Sequence, residues 1–144
     1  MNGPIADVLL VEDNPDDLEL ALHAFKQNRV SDRIQVARDG AEALQLLFAA
    51  ADTESHLPRV VLLDMKLPKV DGLEVLRRLR ADPRTRRLPV VMLTASAQEH
   101  DIIESYELGV NSYIVKPVEF KRFSETVVQL GLYWLALNQP VPEV

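Results

Sequence analysis

Cysteine is absent from the 144 residues, which excludes disulfides and thiolate metal sites. Aromatic residues are scarce at 6%. The chain still carries 47% apolar and 26% charged residues, the balance of a globular protein rather than a disordered or fibrous one. No apolar run approaches the roughly 20 residues that cross a bilayer, and MNGPIADVLLVED at the start reads as neither a secretory signal nor a spanning helix. Positive charge is in deficit, with a net charge of −6, which argues against nucleic acid as the main partner, because phosphate backbones are bound through Lys and Arg. One local exception, the arginines at 77, 78, 80, 84, 86 and 87, reads as a solvated helix end and loop. The length suits one domain of about 100–150 residues and leaves no room for an output domain. A cytoplasmic protein without membrane or nucleic-acid partners is therefore expected.

Short apolar, β-rich runs recur at Val8–Val11, Ile34–Ala37, Val60–Leu63, Val90–Leu93 and Tyr113–Val115. A longer segment with helical spacing follows each. The first such segment has Asn14 as N-cap, Pro15 at the first helical position, Asp16 and Asp17 in the first turn, and Leu18, Ala21, Leu22 and Phe25 on one face. Later helical faces carry Leu44, Leu47 and Phe48, then Val75, Leu76 and Leu79, then Ile102, Ile103 and Tyr106. Strict βα alternation predicts an α/β fold, a doubly wound (βα)5 parallel sheet covered on both faces. Ligands bind such sheets beyond the carboxyl ends of the strands, where the winding reverses.

The residues expected at those ends are Glu12 and Asp13 after the first strand, Asp64 after the third, Thr94 after the fourth and Lys116 after the fifth. Carboxylates converging at about 4 Å repel one another by on the order of 4 kcal/mol per pair at a surface-like dielectric, so the cluster calls for a cation. Oxygen ligands without Cys or His favour Mg²⁺. A threonine hydroxyl and a mobile ammonium are the groups needed to hold the oxygens of a transferring phosphoryl group, and a carboxylate can be its nucleophile. Asp64 leads into MKLPKVDG, a loop that exposes its side chain, whereas Glu12 and Asp13 run into a capped helix and suit metal binding.

VLLVEDN at 8–14, LLDMKLPKVDG at 62–72, LTAS at 93–96 and YIVKP at 113–117 resemble the receiver domains of response regulators, which have a flavodoxin-like sheet in the order 2-1-3-4-5. The resemblance implies that Asp64 is the phosphoacceptor of a histidine kinase, aided by Thr94 and Lys116. It assigns Mg²⁺ to Glu12, Asp13, Asp64 and the backbone carbonyl of Lys66. It also implies a switch in which Thr94 moves toward the phosphoryl group and Tyr113 turns inward, and a cis bond between Lys116 and Pro117. Lys66 and Ser96 would influence the lifetime of the aspartyl phosphate, with the long Lys66 side chain slowing hydrolysis. DIIESYELGVNSYIVKP and LGLYWLALNQP, with AAADTESHLPR before the third strand, are similar to small response regulators of phytochrome-type histidine kinases. His23, His56 and His100 read as exposed residues rather than ligands.

Phe120, Phe123, Val127, Leu130, Trp134 and Leu137 form a stripe that would dock the last helix on the sheet, and Val128, Leu132 and Leu135 form a second apolar face. Leu132, Tyr133, Trp134 and Leu135 are accordingly expected in a homodimer interface, with residues 1–137 as the receiver domain and 138–144 as a tail that crosses to the partner. Two other functions stay open at this point: a phosphorelay intermediate that hands the phosphoryl group to a histidine phosphotransfer protein, and an aspartyl-phosphate phosphohydrolase. The latter usually has an acid two residues after the nucleophile, where this chain has Lys66. As a regulator phosphorylated by a kinase or as a relay intermediate, the chain is expected to be a signalling phosphoacceptor rather than an enzyme acting on other substrates.

Overall fold

The computed structural model describes residues 7–29, 33–53, 57–116 and 119–142. The elements run β1 (Val8–Val11), α1 (Pro15–Gln27), β2 (Ile34–Ala37), α2 (Gly40–Ala51), β3 (Val60–Leu63), α3 (Gly72–Ala81), β4 (Val90–Thr94), α4 (Glu99–Glu107), β5 (Ser112–Val115) and α5 (Phe120–Gly131). A π-helical segment, Leu132–Leu137, continues α5. The parallel strands lie in the order β2-β1-β3-β4-β5, so the winding reverses between β1 and β3.

β1, β3 and β4 are apolar at nearly every position because helices cover both faces of the sheet. Leu9, Val11, Val61, Leu63, Val90 and Met92 pack with Leu44 and Leu47 of α2 and with Val75, Leu76 and Leu79 of α3. Val8, Leu10, Val60, Leu62, Val91 and Leu93 point the other way, onto Leu18, Ala21 and Phe25 of α1 and Phe123, Val127 and Leu130 of α5. Each such Leu or Val contributes about 1.5–3 kcal/mol by leaving water, and this two-layer core holds the strand ends in place.

Three helices start beside those ends under side-chain caps. Asn14 accepts from the amides of Asp16 and Asp17, Asp39 from that of Glu42 and Asp71 from that of Glu74. Gly72 opens α3 where a Cβ would stand 2.3 Å from the Asp64 carbonyl oxygen. Only glycine lets α3 press on the loop that carries Asp64.

Several expectations need correction. β4 extends to Thr94, which is the last residue of the strand and pairs with Val115, and β5 begins at Ser112. On α4, Ile103 and Tyr106 are 58% and 51% exposed, whereas Asp101 and Ser105 are buried. The Ser105 hydroxyl donates to the Asp101 carbonyl at 2.8 Å and the Asp101 carboxylate accepts from Ser96, so hydrogen bonds turn the polar side of the helix inward. The stripe on α5 holds for Phe123, Val127, Leu130 and Trp134, but Phe120 and Leu137 are exposed. The helix widens beyond Gly131, as shown by the Asn138 amide donating to the Tyr133 carbonyl five residues back. A wider turn takes up an extra residue and rotates the later side chains off the stripe.

The arginine-rich stretch is solvent-exposed as expected, except for Arg80, and several of its arginines are also ion-paired at the surface. Arg77 and Arg78 both bind Glu74, and Arg84 binds Asp82 and Asp52. Arg80 donates to the Gly109 and Leu88 carbonyls and to Asn111 Oδ1 at 2.8–2.9 Å. Arg86 and Arg87 are exposed, as expected.

Candidate functional site

The carboxyl ends of β1, β3 and β5 bring Glu12, Asp13, Asp64 and Lys116 together, as the sequence predicts. The Glu12 amide donates to the Ala37 carbonyl at 3.0 Å and the Asp64 amide to the Val11 carbonyl at 3.1 Å, which continue the ladder past the strands. The Lys116 amide likewise donates to the Thr94 carbonyl at 2.8 Å. Backbone pairing therefore fixes where these side chains begin.

One carboxylate oxygen from each of Glu12, Asp13 and Asp64 lies within 4.8 Å of the others. Glu12 and Asp64 are buried and Asp13 is exposed. A cation entering from the Asp13 side would meet three hard oxygen donors with no sulfur or imidazole among them, which fits Mg²⁺ or a similar hard divalent ion. The Lys66 amide donates to Asp64 Oδ1 at 3.3 Å and curls the backbone of that residue around the carboxylate.

Lys116 supplies the only positive charge hydrogen-bonded to these acids among the described residues. Its Nζ binds Glu12 Oε1, Asp64 Oδ2 at 3.1 Å and Asp17 Oδ2 at 2.9 Å. Burial pushes the Glu12 carboxyl up to about 7, with the nearby Asp64 charge adding to the rise and the Lys116 hydrogen bond opposing it. The surrounding carboxylates hold the Lys116 ammonium above its usual range even though burial, the largest influence, acts the other way. Three carboxylates thus share one ammonium and a fourth, Asp13, stands beside them, a charge balance that favours a further cation.

Thr94 is buried on β4, the neighbour of β3, and its Oγ1 has no hydrogen-bond partner. A buried hydroxyl left unpaired costs about 1–3 kcal/mol, and such exceptions call for an explanation. Two residues on, the Ser96 carbonyl accepts from the Tyr113 hydroxyl at 2.9 Å, and Ser96 Oγ donates to Asp101 Oδ2 at 2.5 Å. The Tyr113 ring is half-buried against the loop between β4 and α4, and its burial raises the phenol above its ordinary value. The Ser96 hydrogen bond holds the Asp101 carboxyl below its usual range.

Asp17 is the site residue that sequence reading missed, having been given only to the helix dipole. The bond between Lys116 and Pro117, and His56, lie outside the described residues. Of the four positions expected in a dimer interface, Leu132 and Tyr133 are exposed and Leu135 is half-buried. Trp134 is only 9% exposed and packs in the core of its own chain. A groove of about 1450 Å³ lies at the opposite, amino end of the strands, where Arg59, Arg87, Tyr133 and Pro140 are among its walls.

Comparison with known proteins agrees with this geometry. The family model described as response regulator receiver domain matches residues 8–128. Similar proteins include a probable methanogenesis regulatory protein, FilR2, of Methanothrix harundinacea, 42% identical over 92% of this chain and 85% of its own length. Response regulator Rcp1 of Synechocystis sp. is 38% identical over 93% of this chain and 92% of its own length. Among solved structures, the phosphorylated cyanobacterial phytochrome response regulator RcpA superposes with a TM-score of 0.85 at 35% identity, covering 96% of this chain and 100% of that one. The Mn²⁺-bound form of Rcp1 gives a TM-score of 0.82 at 34% identity, again covering 96% and 100%. The bacteriophytochrome response regulator RtBRR is 50% identical, with a TM-score of 0.73 over 96% of this chain and 86% of that one.

Proposed function

This chain belongs to the response regulator receiver family, where it is related to phytochrome response regulators, and we propose that its Asp64 is the phosphoacceptor for a histidine kinase. A carboxylate oxygen of Asp64 attacks the phosphorus of a phosphohistidine, the P–N bond breaks, and the imidazole leaves with the bonding electron pair. Lys116 moves onto one phosphoryl oxygen and the Thr94 hydroxyl donates to another, so that both stabilise charge in the transition state. Glu12, Asp13 and Asp64, with the backbone carbonyl of Lys66, would hold Mg²⁺, whose charge offsets that of the phosphoryl oxygens. The observation that carries this reading is the buried, partnerless Thr94 hydroxyl at the end of the strand beside Asp64.

The movement of Thr94 toward its new acceptor is coupled to Tyr113 through the Ser96 backbone. Phosphorylation then biases α4, β5 and α5 by making different contacts in two states. Intact-mass measurement after incubation with Mg²⁺ and acetyl phosphate tests the chemistry. A single phosphoryl adduct on the native chain, missing from Asp64→Asn and missing without Mg²⁺, is the expected result; an adduct that persists on Asp64→Asn overturns it.

The kinase is proposed to be of the phytochrome type and the setting cytoplasmic, on the kinship with Rcp1 and RcpA. Residues 1–137 are proposed as the receiver unit. The proposed homodimer uses Ile103, Tyr106, Val115, Val128, Leu132 and Tyr133, all exposed, with 138–144 as a crossing tail. Apolar surface of that extent ordinarily marks a partner. Trp134 supports the helix that presents this face. Sedimentation velocity at micromolar concentration should show a dimer, and monomer alone with and without phosphodonor would refute it.

A further inference from the structure

The helix that opens beside the site holds an acid whose ordinary duty has been taken over by another residue. Asn14 caps α1 by accepting from the amides of Asp16 at 2.9 Å and Asp17 at 3.1 Å, which puts Asp17 at the third helical position. An acid there commonly reaches back to the amide of the capping residue. In this chain the Asn14 amide donates instead to Glu12 Oε2 at 3.1 Å. The Asp17 carboxylate is released from capping, and because helical side chains lean toward the N-terminus it reaches over the strand ends to Lys116 Nζ at 2.9 Å.

Lys116 is thereby shared between two kinds of carboxylate. Glu12 and Asp64 are deep, with side chains 4% and 11% exposed, and belong to the set assigned above to the cation. Asp17 stands at the rim, with a side chain 40% exposed, outside that set. An ammonium and a divalent ion compete for the same deep oxygens. Without another anionic partner in reach the buried ammonium cannot leave them, because an unpaired buried charge is costly.

We infer that Asp17 is a second seat for the Lys116 ammonium, which takes the lysine when a cation occupies Glu12 and Asp64 and returns it when phosphoryl oxygens arrive. The inference rests on the reading of the site as a Mg²⁺-dependent phosphoacceptor and makes Asp17 a positioning residue that acts through Lys116. Asp16, one residue earlier and exposed, carries the same charge in the same helical turn and serves as a built-in control.

Calorimetric titration of the full chain with Mg²⁺ alone tests this without any phosphorylation step. Asp17→Asn should weaken Mg²⁺ binding about fivefold more than Asp16→Asn, a difference in the range of coupling between residues in contact. Asp17→Glu, which keeps the charge on a longer arm, should restore most of the affinity. In a Lys116→Ala background, with folding checked by circular dichroism, Asp17→Asn and Asp16→Asn should become equivalent. Equal losses in the native background, or an Asp17→Asn loss undiminished without Lys116, would overturn the inference while leaving the phosphoacceptor reading intact. A native chain that binds no Mg²⁺ in the same titration would overturn both.

Discussion

The strand-end site and the arginine-rich stretch from Arg77 to Arg87 are both dense in charge, yet their charges are treated in opposite ways. In the stretch, opposite charges meet. Arg77 and Arg78 pull the Glu74 carboxyl down to about 2, and Arg84 pulls Asp82 down to about 2. At the strand ends like charges meet, burial pushes the Glu12 carboxyl up to about 7, and the Thr94 hydroxyl is left without a partner. Charge density alone therefore says little about function. What separates the two regions is satisfaction: one is complete as folded, whereas the other has unmet partners that, in the function proposed above, a cation and a phosphoryl group would supply.

That contrast sharpens if each region is damaged separately. Removing the phosphoryl-facing donors, by Thr94→Val or Lys116→Ala, should slow formation of the phosphoryl adduct about 100-fold, the usual cost of losing one such donor. Stability should rise by about 1–3 kcal/mol for Thr94→Val, since valine removes a buried hydroxyl that satisfies nothing in the folded chain. A Thr94→Val chain that phosphorylates at the native rate would break the comparison, because the unpaired hydroxyl would then have no use. Arg80→Ala should do the reverse. It strips three hydrogen bonds from Leu88, Gly109 and Asn111 and should cost about 1–3 kcal/mol in a denaturant titration, with the rate of adduct formation preserved.

The sheet and the acidic cluster were legible because each depends on local pattern. Runs such as VVLLD and VVMLT declare strands buried on both faces, and the residues that end them are placed by position. Three features were not legible, each because it depends on a contact between distant segments. Arg80 looks like its neighbours in sequence but reaches Asn111, 31 residues away. Asp101 and Ser105 occupy the inward face of α4 because Ser96 meets Asp101 there, which sends Ile103 and Tyr106 outward against the hydrophobic pattern. Asp17 looks like a first-turn acid and finds its use only through Lys116, 99 residues on. One local hint existed: Glu12 precedes the Asn14 cap by two residues, close enough to bond its amide and relieve Asp17 of that task.

The smallest expected effect comes from the raised Glu12 carboxyl and reports on whether the site is strained as folded. Its pKa is about 7 in the folded, metal-free chain against an ordinary 4.5. Between those values the folded chain holds more protons than the unfolded one, so stability declines as pH rises through that window and levels off above about 7. The carboxyls of Asp39, Glu74, Asp82 and Asp101 are shifted downward. Their contributions are present above the ordinary carboxylate range and are lost only as pH falls well below 4.5. The raised Lys116 contributes throughout and loses its effect only above its usual 10.5. Melting temperature measured in EDTA should therefore fall by about 2–4 °C from about pH 5 to about pH 7.5, and Glu12→Gln should abolish the slope. Saturating Mg²⁺ should flatten it as well, because a bound cation keeps Glu12 ionised in the folded state and removes the reason for its excess proton. A melting temperature that stays level in EDTA would mean that Lys116 already satisfies Glu12, and the distinction between a completed region and an uncompleted one would then rest on Thr94 alone.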